Sequence, residues 1–267
     1  MTVLDHTHTR ASPVVLTWGT EALLAGAGGP GAVPLRAHER LHGALRPDAV
    51  RTLSADLEAV GLLGRGGAAF PVATKLAGVA PGPDVQVVVN GSEGEPASWK
   101  DRVLMRHAPH LVLDGALVVA SALRTHRVTL AVHDGPAARA LRAAVAERGD
   151  VTHVEVVESD GGFVGGEARA LVNRLSGVAP VPSGRRTLPT VDGVDGRPTF
   201  LSNVETFAQV GLLARRGVAG FMAGGVGAEP GTTLATVLGD VSHPGVVEVP
   251  HGMSVATLVG GSASRHA

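Results

Sequence analysis

The chain has 267 residues, with 23 Lys and Arg against 24 Asp and Glu, a formal net charge of −1 at pH 7. That balance gives no electrostatic case for nucleic acid or a membrane surface, and 3% aromatic residues with no Tyr supply no base-stacking platform. Cysteine is absent, which excludes disulfides, a thiol nucleophile and Cys-ligated zinc or iron–sulfur clusters in this chain.

Residues 1–50 read as an irregular N-terminal segment. The start is polar, without the apolar core of a secretory signal, and Gly26–Leu35 is a glycine-rich loop. Ala49–Leu63 carries apolar residues at helical spacing and ends in the glycine cluster Gly64–Gly67. Val85–Val89 reads as a buried strand, followed by the polar loop Asn90–Pro96 and an apolar helix over Pro109–Leu123. That helix is broken by Asp114 and too short to span a bilayer. The expectation is a cytoplasmic protein with no membrane insertion.

Arg127–Val132 and His153–Glu158 read as two more strands. Helices are expected over Pro136–Arg148 and Glu167–Ser176, the first opened by Pro and closed by Gly149. Alternating strands and helices argue for an α/β fold with a parallel sheet covered on both faces. Ligands of such sheets bind beyond the carboxyl ends of the strands. Gly177–Pro198 reads as surface loop, Asn203–Arg215 as a helix, Thr232–Leu238 and Gly245–Val249 as paired strands, and Ser254–Val259 as the start of a helix.

Four segments carry candidate chemistry, each with a plainer reading beside it. Gly64-Arg65-Gly66-Gly67-Ala68-Ala69-Phe70-Pro71 with Lys75 is either a loop that admits a flat or phosphorylated ligand or a helix end running into a turn. Asn90-Gly91-Ser92-Glu93-Gly94-Glu95-Pro96, with Lys100-Asp101-Arg102 after it, is either a carboxylate-bearing site or an acidic turn paired locally with Lys100 or Arg102. Gly165-Gly166-Glu167 opens a helix and is either an anion site or a favourable first turn. Ser202-Asn203-Val204-Glu205-Thr206 precedes a helix that Asn203 can cap. The twelve histidines form no HExxH, and no GxSxG is present, so neither a metal site nor serine hydrolysis is expected.

In this order the segments resemble the family of NADH-oxidising, FMN-binding flavoprotein subunits of respiratory complex I and the diaphorase subunits of related hydrogenases and formate dehydrogenases. The family pattern is GRGGAGFP…K, N-x-DEGEPG-x-x-KDR, GEE before a helix, and GRPT-x-x-NNVET. This chain has GRGGAAFP…K at 64–75, NGSEGEPASWKDR at 90–102, GGEAR at 165–169 and GRPTFLSNVET at 196–206. The resemblance implies a parallel-sheet FMN-binding domain over residues 51–228 and a partial β-grasp (SLBB-like) module over 229–267. It implies FMN as cofactor, NADH as substrate, and a separate iron–sulfur (ferredoxin-like) protein or other redox subunit as partner. The unfinished second module also implies a partner chain or oligomer.

Carried over residue by residue, the resemblance implies that Gly64, Arg65, Gly66, Gly67, Lys75, Asn90, Ser92, Glu93, Phe163, Gly166, Glu167, Ser202 and Asn203 line the FMN site. Glu95 matches the carboxylate beside the nicotinamide, and Phe70 and Arg185 match residues that hold NADH. The departures are specific. Ser92 stands for an Asp, Ala168 for a Glu and Ser202 for an Asn, while Gly78 and Leu188 stand where the family stacks adenine on phenylalanines. A lost stacking face costs on the order of 1 kcal/mol, so NADH affinity is expected to fall about tenfold or more. The expected function is an FMN-dependent electron-transfer oxidoreductase. The alternative is a structural or assembly subunit of a redox complex with a degenerate flavin site.

Overall fold

A continuous apolar run, Val87–Val89, forms the middle of an interior strand of a parallel sheet, and burial on both faces explains its uniform composition. The computed structural model describes residues 15–17, 22–151, 153–158, 167–179, 187–225, 230–241, 243–260 and 264–265. Its elements in chain order are β1 (Val15–Thr17), α1 (Leu35–His42), α2 (Ala49–Val60), α3 (Val72–Ala77), β2 (Gln86–Gly91), α4 (Lys100–His107), α5 (Pro109–Ala122), β3 (Val128–Val132), α6 (Gly135–Glu147), β4 (Val154–Glu158), α7 (Ala168–Leu175), β5 (Thr199–Asn203), α8 (Val204–Met222), β6 (Thr232–Val237), β7 (Gly245–Pro250), α9 (Val255–Gly260) and β8 (Ser264–Arg265).

The first sheet is four-stranded and parallel throughout, in the order β4-β3-β2-β5. One face packs against a large core built on α2, α4, α5, α6 and α8, including Leu57, Leu104, Leu111, Leu141 and Phe207. The other face packs Val88, Ala131 and Leu201 against Leu171 and Val172 of α7. The chain moves outward from β2 through β3 to β4, then returns to place β5 on the opposite side of β2. The order therefore reverses between β2 and β5, and such a switch point opens a crevice at the strands' carboxyl ends.

Local chemistry explains the boundaries. Gly61 in the left-handed conformation (φ 59°) ends α2 three residues before the glycine cluster expected to end it. Asp134 caps α6 by accepting from Ala137 N, with Pro136 in the first turn. The expected stop of α8 near Arg215 falls beside Gly217 (φ 68°), a non-helical residue inside the observed helix.

One expectation needs correction. The segment before residue 50 is not wholly irregular, because it contributes β1 and α1. β1 pairs parallel with β7 and antiparallel with β8, so the second sheet has the order β6-β7-β1-β8. The hairpin β6–β7 expected at 232–249 is present, and the strand beside it comes from the far end of the chain. That pairing has a buried anchor. Glu248 of β7 accepts from the backbone N–H groups of Ala22, Leu23 and Leu24 at 3.1, 2.9 and 3.0 Å and from Thr232 Oγ1.

Among the described residues no single helix is long and apolar enough to cross a membrane. α4 and α5 pass that test only together, across a 92° bend, and most of α5 is buried in the core.

Candidate functional site

The crevice at the switch point is a cleft of about 740 Å³, within the range of small-molecule and cofactor sites. β2 delivers Asn90 and the loop after it, and β5 delivers Leu201, Ser202 and Asn203. Asn90 and Asn203 are register partners across the two strands. The Gly64–Phe70 loop forms a third wall, and Glu167 and Ala168 at the start of α7 form a fourth.

The glycine loop is held in shape by its own backbone. Gly64 N donates to Phe70 O at 2.9 Å, and Leu63 bridges Pro71. Arg65 N donates to Thr206 Oγ1 at 2.9 Å, which ties the loop to the first turn of α8. Gly66 lies against Asn203, where an added Cβ would stand 3.3 Å from Asn203 Cβ. A side chain here would enter the cleft, so glycine keeps the room open.

The cleft floor is a buried charged network. Lys100 Nζ donates to Asp101 Oδ1 at 2.6 Å and to Glu205 Oε2 at 2.9 Å. Asp101 Oδ2 accepts from Asn203 Nδ2 at 2.7 Å, and Asn203 Oδ1 accepts from Glu205 N, capping α8. Glu205 Oε1 accepts from Thr233 Oγ1 and Leu234 N of β6, so the floor is wired to the second sheet. Burial pushes the Asp101 carboxyl up to about 6; Lys100 opposes this and Glu93 and Glu205 add to it. Burial works against the Lys100 ammonium, yet Asp101 and Glu205 outweigh it and hold the amine above its usual range. At the other wall Lys75 Nζ donates to Leu201 O at 3.1 Å, and burial lowers its affinity for the proton.

The plainer readings hold in part. Asn203 does cap α8, and Glu167 caps α7 by accepting from Ala170 N at 2.8 Å. The acidic turn is partly self-paired: Glu93 accepts from Ser98 Oγ and from Asp101 N, and Arg102 Nε lies 3.5 Å from its Oε2. Lys100, the other local cation expected to pair with that turn, binds instead to its neighbour Asp101 and to Glu205, 105 residues away. Asn203, Glu167, Glu93 and Lys100 still border the cleft, so capping and lining are not exclusive.

Of the residues expected at the site, Gly64, Arg65, Gly66, Gly67, Phe70, Lys75, Asn90, Ser92, Glu93, Glu95, Glu167, Ser202 and Asn203 all border this one cleft. Phe163, Gly166 and Arg185 lie outside the described residues. Gly78 caps the end of α3 and is not in the cleft wall, and Leu188 is exposed on the turn before β5. Lys100 and Asp101 belong to the KDR motif but not to the set of site residues that the resemblance implies, and the structure adds them to the cleft. Their signal was adjacency in KDR, which on the first turn of α4 lets Lys100 reach Glu205 and Asp101 reach Asn203.

The cleft fits FMN on its own chemistry. Two buried polar atoms on its wall, Ser92 Oγ and Arg65 Nε, have no protein partner. Glycine at 66 leaves room for a flat ring, and cationic and hydrogen-bonding side chains surround it.

Comparison with known proteins agrees. The family described as the Nuo51 FMN-binding domain matches residues 57–212. An NADH-quinone oxidoreductase subunit of Mycobacterium tuberculosis (strain ATCC 25618 / H37Rv) is 34% identical over 258 residues, covering 86% of this chain and 57% of that protein. The protein of the same description in Salmonella typhimurium is 31% identical, and the match covers 80% of this chain and 52% of that protein. An NAD+-reducing [NiFe]-hydrogenase structure in the air-oxidised state superposes with a TM-score of 0.76 at 30% identity, over 90% of this chain and 42% of that one. This chain therefore spans about half the length of the curated relatives it matches. With well over half of its residues matched and the motifs gathered on one cleft, the chain belongs to the Nuo51 FMN-binding domain family.

Proposed function

We propose that the chain is an FMN-dependent electron-transfer oxidoreductase that moves electrons between a nicotinamide or ferredoxin-type donor and a separate redox partner. The observation that carries this reading is the convergence of four sequence-distant motifs on the β2–β5 switch-point cleft. FMN, when bound, supplies both two-electron exchange with a nicotinamide and one-electron exchange with an iron–sulfur centre.

The chain's own residues position and tune it. Gly66 and Gly67 leave space for the ring, Asn90, Ser92 and Asn203 offer polar contacts, and Arg65 and Lys75 supply positive character. Glu95 is exposed at the cleft edge, placed to meet an incoming nicotinamide, and Phe70, 47% exposed, offers a stacking face at the rim. The absence of cysteine means that these 267 residues hold no Cys-ligated iron–sulfur acceptor, so electrons leave the cleft for a centre outside them. We assign the mixed sheet of β6, β7, β1 and β8 to the partial β-grasp module and the working compartment to the cytoplasm.

An anaerobic absorbance titration of FMN-incubated, desalted protein with NADH tests the reading. Retained flavin that bleaches stoichiometrically supports it. Retained flavin that bleaches with reduced ferredoxin alone moves the donor. Protein that retains no flavin contradicts it and favours the structural-subunit alternative, which the Ser92 and Ala168 departures motivate.

A further inference from the structure

Asp101 sits among three buried carboxylates, and the cation it touches, Lys100, is shared with Glu205. The Asp101 side chain lines the cleft and is 3% exposed. Glu93 faces it from the loop after β2, through the bond from Asp101 N, and Glu205 faces it from α8 through the shared Lys100. Lys100 neighbours it on α4, Arg102 is engaged by Glu93, and Arg65 interacts with Glu205 from the glycine loop. The Asp101 carboxylate also accepts from a cleft residue of β5, through Asn203 Nδ2 at 2.7 Å.

We propose that Asp101 is the redox-linked proton site of the flavin cleft: it positions Asn203 and takes up one proton from solvent when reduction adds negative charge to the cleft. This rests on the FMN reading above. In the balance, a reduced nicotinamide delivers two electrons and one proton as hydride, which leaves one added negative charge; the Asp101 carboxylate then gains one proton and becomes neutral. No further oxidant or reductant is needed. The geometry favours Asp101 because it lines the cleft, where a new negative charge opposes its ionised form directly; both carboxylates accept from Lys100, but Glu205 lies behind the lining and accepts from two further donors of β6. Its proton affinity, already raised by burial to a midpoint of about 6, leaves it ionised at neutral pH and ready to accept.

Two measurements decide the matter. In flavin-free protein, the Asn203 side-chain amide, followed by NMR, titrates with a midpoint near 6 and loses that titration in Asp101→Asn. In FMN-loaded protein, the midpoint potential falls more steeply with pH in wild type than in Asp101→Asn, by up to one additional proton per two electrons, or about 30 mV per pH unit. Lys100→Gln serves as a second variant. Removing the cation protonates Asp101 before reduction, so the extra slope disappears there too. An Asn203 amide that does not titrate in wild type overturns the proposal whether or not flavin binds. Equal slopes in loaded wild type and Asp101→Asn overturn it while leaving FMN binding intact.

Discussion

Gly115 of α5 and Gly211 of α8 meet backbone to backbone. A Cβ on Gly115 would stand 1.8 Å from Phe207 O and 3.0 Å from Gly211 N; one on Gly211 would stand 2.4 Å from Leu111 O. This crossing fixes α8 against α5, and Asn203, the cap of α8, lines the cleft. Core packing thus fixes the position of the site.

Replacing Gly115 with Ala is expected to destabilise the fold by at least about 1–3 kcal/mol, because the obstacle is backbone that cannot rotate away. Gly149→Ala, with open space around the added Cβ, is expected to stay within about 0.5 kcal/mol. Urea midpoints of the two variants check this.

Stability is expected to fall in mild acid. Burial first, then His38, Arg216 and Arg215, lower His42 to about 3 from 6.5. The folded state therefore binds fewer protons than the unfolded state between those values, and stability is lost as pH falls through 6.5 toward 3. His107, His110 and His133 shift the same way, each chiefly by burial. Asp101, raised to about 6, opposes the trend between that value and 3.8. Urea unfolding at pH 7.5 and 5 should show the loss, and His42→Gln should reduce it.

Glu248→Ala leaves three backbone N–H groups and one hydroxyl without their acceptor. Unsatisfied buried donors cost about 1–3 kcal/mol each before relaxation. The expected result is a loss of several kcal/mol by urea unfolding, with hydrogen-exchange protection falling first at Ala22–Leu24.

Phe70→Ala removes the aromatic face at the cleft rim. Loss of one stacking ring is worth about 0.5–1.5 kcal/mol, so the NADH concentration for half-reduction is expected to rise up to about tenfold with FMN retention unchanged. Parallel anaerobic titrations of wild type and variant read both quantities.

The parallel sheet was legible because apolar runs such as Val85–Val89 alternate with helical spacing, and the site was legible because its motifs are contiguous. β5 was not. Its sequence, TFLSN, is short and ends in the cap of α8, so it read as a helix approach. β1 was hidden more deeply, since its partner β7 lies over 200 residues away and its anchor, Glu248, is a single charged residue in an apolar strand. Asp114 shows the same limit. In sequence it interrupts an apolar helix; in the fold it accepts from His38 at 2.7 Å, Arg148 at 2.9 Å and Arg215 at 2.5 Å. Burial works against its charge, and the bonds from His38 and Arg215 more than offset that, holding its carboxyl below the usual range.

FMN binding in the β2–β5 cleft is read by flavin fluorescence quenching on titration with wild type and with Gly66→Leu. The Leu side chain would project into the cleft beside Asn203. The account predicts saturable, one-to-one quenching by wild type and its loss in Gly66→Leu, with circular dichroism unchanged. Quenching of equal strength by both proteins, or by neither, would contradict it.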